Sequence, residues 1–251
     1  MPTNIIKKFL KDLLFPAFCL GCQTEGTLLC QDCKSILEIS EYTYCLCNKD
    51  PLRLPPENKS GKPFGTAQGK CPRCQDNKLA GIFSALSYKE KSLTRKLIRQ
   101  FKYSPYLKEL AKTLSVILLE HFILTKNNTD DIWENSILIP VPLEISRLKS
   151  RDYNQTEELA KELALVLAVP VLINNLVKIK KTRSQVSLSA KERQENVKNA
   201  FSVKKPEEIK NKKIFLIDDV YTTGATMQEC ARVLRDAGAK QVWGIAIARE
   251  G

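Results

Sequence analysis

Residues 215–226, Phe-Leu-Ile-Asp-Asp-Val-Tyr-Thr-Thr-Gly-Ala-Thr, constrain this chain more than any other stretch. Phe215, Leu216 and Ile217 read as a strand buried on both faces, which is the habit of a parallel sheet covered by helices. Two carboxylates, Asp218 and Asp219, follow at the carboxyl end of that strand, where open α/β sheets bind ligands. The turn Thr222-Thr223-Gly224-Ala225-Thr226 then leads into Met227, Cys230, Ala231 and Leu234, which recur at helical spacing. Such a turn suits a phosphate. The first amides of a helix have no internal partners and sit at the positive end of the helix dipole. Gly224 allows close backbone approach, and the threonine hydroxyls can donate to phosphate oxygens. The paired acids suit hydrogen bonds from two sugar hydroxyls. The plain alternative is a strand-turn-helix whose carboxylates simply face water.

The amino-terminal part is dominated by cysteine. Eight of the nine cysteines precede residue 75, as the pairs Cys19/Cys22, Cys30/Cys33, Cys45/Cys47 and Cys71/Cys74. Three pairs have the C-x-x-C spacing in which two thiolates meet one tetrahedral zinc ion. Cys45-Leu46-Cys47 is one residue short and is the weakest half-site. Consecutive pairing gives two ribbons, Cys19/22/30/33 and Cys45/47/71/74; interleaved pairing is equally compatible with the spacing. Disulfides are the competing reading, and loss of one of the two zinc sites is another. The long Pro51–Lys70 loop, rich in Pro, Gly, Lys and Ser, is expected to be mobile. With few large apolar residues in this segment, one or two structural zinc ions would supply much of its folding free energy. Cys230 reads as a buried core thiol and not as a ligand.

The rest of the chain alternates strands and helices, which predicts a parallel sheet. Strands are expected at 82–88, 137–142, 171–173, 214–217 and 242–248, and helices at 93–101, 107–124 and 157–167. Pro140 and Pro142 cannot donate to a ladder and stop their strand. The loop that follows carries Arg147, Lys149 and Arg151; at the carboxyl end of a strand it can clamp a pyrophosphate. Lys181 to Glu195, with Arg193, is polar and reads either as a lid over a diphosphate or as a surface arm. The lone His121 lies in the 107–124 helix, where a structural place fits better than a catalytic one. Residues 5–14 pattern as an amphipathic helix and not as a signal peptide. No run is long and apolar enough to span a membrane, so no stable insertion is expected. The formal charge of +12 falls to about +8 once eight thiolates and two zinc ions are counted, and still favours polyanions.

The stretch 215–226 resembles the phosphoribosyl-pyrophosphate (PRPP) motif of type I phosphoribosyltransferases. The resemblance widens along the chain. Amino-terminal cysteine knuckles, Lys102-Tyr103, Pro140-Val141-Pro142 and Arg147-Leu-Lys-Ser-Arg151-Asp152-Tyr153-Asn154-Gln155 come in turn. Thr182-x-x-Gln185-x-x-Leu188 with Arg193, Asn196, Ala200 and Phe201 follows, and then the PRPP motif. In that order they are similar to the ComF family, from about Phe15 to Glu250. Two positions depart from the family pattern: Asp152 stands where it has glycine, and Cys45-x-Cys47 is shortened.

The resemblance implies a type I phosphoribosyltransferase-like sheet flanked by helices over residues 79–251, preceded by a double zinc-ribbon module over 15–78. It implies that Asp218 and Asp219 hold the ribose hydroxyls, that Thr222 to Thr226 hold the 5-phosphate, and that Arg147 and Arg151 bind pyrophosphate. Magnesium would accompany the PRPP. It further implies a cytosolic protein that assists incoming single-stranded DNA in natural transformation, with DNA-uptake and recombination proteins as partners. Two other readings stand beside it: a working phosphoribosyltransferase of unknown acceptor, and a non-catalytic PRPP sensor. Purine-salvage relatives carry an aspartate where this chain has Thr222, which argues against a hypoxanthine-guanine-type reaction.

Overall fold

The computed structural model describes residues 16–47, 51–54, 71–74, 77–103, 108–125, 130–144, 148–149, 151–182 and 189–250. The expected helix at 5–14, Arg147, most of the Pro51–Lys70 loop and residues 183–188 of the expected lid lie outside them.

Four strands form the parallel part of a six-stranded sheet: β3 (Ile82–Ser87), β8 (Gln241–Arg249), β7 (Lys213–Tyr221) and β4 (Ser136–Pro140), adjacent in that order with β4 at the edge. They fall where the continuous apolar runs predict, and Ile214, Phe215, Leu216 and Ile217 are each 0% exposed. Successive side chains of a strand point to opposite faces. Phe215 and Ile217 therefore join one core with α2 (Leu93–Lys102), α3 (Leu110–Leu124), α4 (Asp130–Trp133) and α5 (Gln155–Leu167). Ile214 and Leu216 join a second core under α7 (Ala225–Asp236). The sheet thus has helices on both faces.

Two features differ from the sequence expectation. Val171 forms only an isolated bridge to Leu138 and not a strand. An antiparallel pair, β5 (Leu176–Lys178) with β6 (Phe201–Val203), stands outside the main sheet and brackets α6 (Ala190–Val197). The half-buried patterns of these three-residue strands give too short a period to read. The cysteine segment also contributes to the main sheet. After the short helix α1 (Gln31–Ser35), β1 (Thr43–Tyr44) and β2 (Arg53–Leu54) extend the main sheet antiparallel, with Tyr44 paired to Ile82.

Candidate functional site

The strand β7 runs through both acids to Tyr221, so pleating sends the two carboxylates to opposite faces. Asp219, on the α2/α5 face, is 5% exposed. Lys102 at the end of α2 places its Nζ 2.8 Å from Asp219 Oδ1, and Gln155 Nε2 donates to Oδ2 at 3.0 Å. Burial raises the Asp219 pKa, but the Lys102 charge and hydrogen bond outweigh it and hold the carboxyl below its ordinary value. Asp218 is half-buried on the α7 face and accepts from the Asp219 amide at 2.8 Å. Its burial, then the neighbouring Asp219 charge, push its pKa up to about 8. The same two residue types at adjacent positions are therefore in opposite protonation regimes.

Sequence reasoning gave no role to Lys102 or Gln155. Both were visible only as parts of longer strings, because nothing local says that the end of α2 reaches the end of β7. They belong to one chain of contacts: Lys102 to Asp219, Asp219 to Gln155, and Gln155 Oε1 to Arg151 Nη1 at 3.1 Å. Arg151 is 8% exposed, with its guanidinium 5.0 Å from the Tyr103 ring centroid. Asp152 has a φ of 61° and is exposed. Its backbone is in the left-handed region that glycine enters freely and aspartate tolerates.

The threonine turn ends at Gly224, the N-cap of α7, with φ 74°. Glycine is required there twice over, since a Cβ would also lie 2.4 Å from the Tyr221 hydroxyl. Ala225, expected in the loop, is the first residue of the helix. The Ala225 amide donates to Thr223 Oγ1 at 3.4 Å, and Arg193 Nη1 of α6 donates to Thr222 Oγ1 at 3.3 Å. The expected lid segment therefore touches the loop through Arg193. The turn's own amides and α7, a helix of 12 residues, give a positive helix end beside the β7 acids.

The thiols form two groups, Cys19/Cys22/Cys30/Cys33 and Cys45/Cys47/Cys71/Cys74, with sulfurs within 4.8 Å of one another. Pairing is consecutive and not interleaved. Tetrahedral zinc with Zn–S bonds of about 2.3 Å needs sulfurs about 3.8 Å apart. Cys22 and Cys30 sulfurs are 3.5 Å apart, and Cys47 and Cys71 sulfurs 3.7 Å. Both groups thus fit a four-coordinate ion such as structural zinc, including the one with the shortened Cys45-x-Cys47 spacing. Cys230 is 0% exposed on the buried face of α7, as expected of a core thiol. His121 is also fully buried; its Nδ1 donates to the Ser40 carbonyl at 2.7 Å, and burial lowers its pKa.

Residues 137–250 match the phosphoribosyl transferase domain. Together with the parallel sheet, this defines a protein with a type I phosphoribosyltransferase-like fold. The chain is 43% identical over 112 residues to competence protein F of Haemophilus influenzae, covering 43% of this chain and 49% of that protein. It is 29% identical to the DNA utilization protein YhgH of Salmonella typhi, over 86% of this chain and 95% of that one. Competence protein ComFC of Streptococcus pneumoniae is 34% identical over 44% of this chain and 47% of its own length. The chain thus spans about half of the two competence proteins and nearly all of YhgH. The chain is thus similar to these competence and DNA utilization proteins, in keeping with the resemblance to the ComF family. Among solved structures, a hypoxanthine phosphoribosyltransferase from Staphylococcus aureus aligns with a TM-score of 0.33 and 14% identity, over 63% of this chain and 71% of that one. Among the described residues no helix is long and apolar enough to cross a membrane.

Proposed function

We propose that this chain binds PRPP at the carboxyl end of β7, as an accessory protein in the handling of single-stranded DNA. The observation that carries the reading is the convergence of three groups on one strand end: the glycine-capped start of α7, the acids Asp218 and Asp219, and the cations Lys102 and Arg193. In this reading the Thr222–Thr226 turn takes the 5-phosphate, and Asp218 and Asp219 accept from ribose hydroxyls. Arg151, with Arg147, would bind the pyrophosphate, whose charge a magnesium ion would share. Lys102 is well placed to turn from Asp219 toward that diphosphate when ribose takes its place. Residues 15–78 would act as a zinc-held module on the 79–251 domain.

A second surface supports the DNA part. A groove of about 940 Å³ lies between the first cysteine group and α2, lined by Ile36, Lys91, Arg95, Lys96, Arg99 and Tyr103. Cations for phosphates beside an aromatic for bases is the composition that holds single strands. Helix α2 carries Lys96 and Arg99 into this groove and Lys102 onto Asp219.

The test is a calorimetric titration of the zinc-loaded chain with PRPP and Mg²⁺, alongside Gly224→Val. One saturable site is expected in the wild type and none in the variant, whose new side chain meets Tyr221. No heat from the wild type sinks the PRPP reading. Pyrophosphate release during incubation with nucleobases would favour the enzyme reading over the sensor. For the groove, Lys96→Glu/Arg99→Glu should abolish salt-dependent retention of an oligo-dT strand; unchanged retention rejects this surface.

A further inference from the structure

We propose that Arg249 and Tyr221 are positioning residues that fasten the second cysteine group, in its metal-holding form, to the phosphate turn at the start of α7. The inference rests on the PRPP reading above, and concerns what keeps that turn in place.

The two residues are cross-strand partners at the ends of β8 and β7. Arg249 is 7% exposed. Its Nη1 donates to the Cys45 carbonyl at 2.6 Å and its Nη2 to the Cys47 carbonyl. Between them, the Tyr221 hydroxyl donates to the Leu46 carbonyl at 3.3 Å. Three successive carbonyls of the Cys45–Cys47 turn are therefore held by two side chains at the end of the sheet. The other side of the same phenol lies against Gly224, where a Cβ would sit 2.4 Å from the hydroxyl oxygen. One ring thus separates the ligand turn of the cysteine group from the N-cap of α7. A second tether runs beside it: the amides of Lys78 and Leu79, just beyond Cys74, donate to Gln228 Oε1 in the first turns of α7 at 2.9 and 3.3 Å.

Charge favours the metal-holding form. A buried guanidinium needs an anion nearby. Among the described residues no carboxylate pairs with Arg249, and its buried Nε has no hydrogen-bond partner. The groups that interact with its charge are the Tyr221 phenol and the sulfurs of Cys45, Cys47 and Cys74. Four thiolates around one divalent ion leave a net charge of about −2. Arg249 offsets one unit, and Arg73, hydrogen-bonded to Cys71, the other. Without the ion nothing ties the Cys45–Cys47 turn to Cys71 and Cys74, and the turn beneath Tyr221 loosens. The first cysteine group has none of these contacts with β7 or α7 among the described residues, and it serves as the internal control.

The experiment compares Cys47→Ser/Cys74→Ser with Cys22→Ser/Cys30→Ser, reading zinc content by elemental analysis and PRPP binding by calorimetry. The second-group variant should retain one zinc and bind PRPP at least about tenfold more weakly, a usual size of coupling between sites. The first-group variant should also retain one zinc and bind within about twofold of wild type, inside the scatter expected of uncoupled sites. Because the cysteine variants can lose the fold, Tyr221→Phe gives an independent readout. Coupling is reciprocal, so PRPP should slow the release of one of the two zinc ions to a chromophoric chelator in the wild type. Tyr221→Phe should lose that slowing. Arg249→Lys should weaken zinc retention at one site by about tenfold, as loss of groups orienting metal ligands does. Equal PRPP affinity in the two cysteine variants, or PRPP-slowed release persisting in Tyr221→Phe, overturns the inference alone. A wild type that binds no PRPP overturns the reading of the site and the inference with it.

Discussion

The two ends of the main sheet are built by different physics. At one end, β4 and β7 are held by burial: Leu138, Phe215 and Ile217 are 0% exposed, and Trp133 lies 4.6 Å from the Phe215 ring. At the other, β1 and β2 are two residues long, and Arg53 lies out over the Tyr42 ring at 4.0 Å. That edge depends on sulfurs, on Arg249 and on Tyr221. The apolar end assembles from runs of sequence that already carry their own burial. The cysteine end offers thiol groups that a metal ion would complete, together with a few directed hydrogen bonds. One end should therefore answer to lost volume and the other to lost metal.

The largest expected effect is chelation. Metal binding by such thiol sets is worth about 10 kcal/mol or more, so a strong chelator should strip hydrogen-exchange protection from the amides of Cys45 and Tyr44. The Ile214–Ile217 amides should keep theirs; if they exchange in step, the contrast is broken. Next comes Phe215→Ala, expected to cost about 3–5 kcal/mol in urea unfolding with zinc content unchanged. Third, Asp219→Asn leaves the partly buried Lys102 without its anion and should cost about 3 kcal/mol.

Its neighbour should behave in the opposite sense. The folded chain holds the Asp218 proton up to about pH 8, whereas the unfolded chain releases it near 3.8. This acid's contribution to stability is therefore fully present below 3.8 and declines as pH rises toward 8. The advantage of Asp218→Asn over wild type should grow across that interval and then level off. The contribution of Asp219, whose pKa is lowered, is present above the ordinary carboxylate range and lost in acid. Urea midpoints of both variants between pH 4 and pH 9 check the signs. The smallest effect is Tyr221→Phe, about 1 kcal/mol for one hydrogen bond to the Leu46 carbonyl.

The same contrast explains what could be read from the sequence. The parallel strands were legible because Phe-Leu-Ile at 215–217 and Ile-Leu-Ile at 137–139 are buried on both faces, and no partner need be known. The cysteine groups were legible as ligand sets from spacing, but their pairing was not, since chain separation does not fix which sulfurs meet. The attachment of the Cys45 turn to Arg249 was invisible, because the contact spans 204 residues and depends on where β8 ends. Lys102 was hidden for the same reason. The strand-turn-helix around Gly224 was fully local and is found as expected, with Ala225 moved into the helix. That the two acids point to opposite faces follows from the length of β7, which continues through them to Tyr221.

The most direct test sets the zinc-loaded wild type beside Asp218→Asn/Asp219→Asn in a PRPP titration with Mg²⁺, with zinc content and folding measured on both. The account predicts one saturable site in the wild type, and its loss in a folded double variant that holds the same zinc. Wild-type affinity in that variant would contradict it, because the acids at the end of β7 would then take no part in holding the sugar.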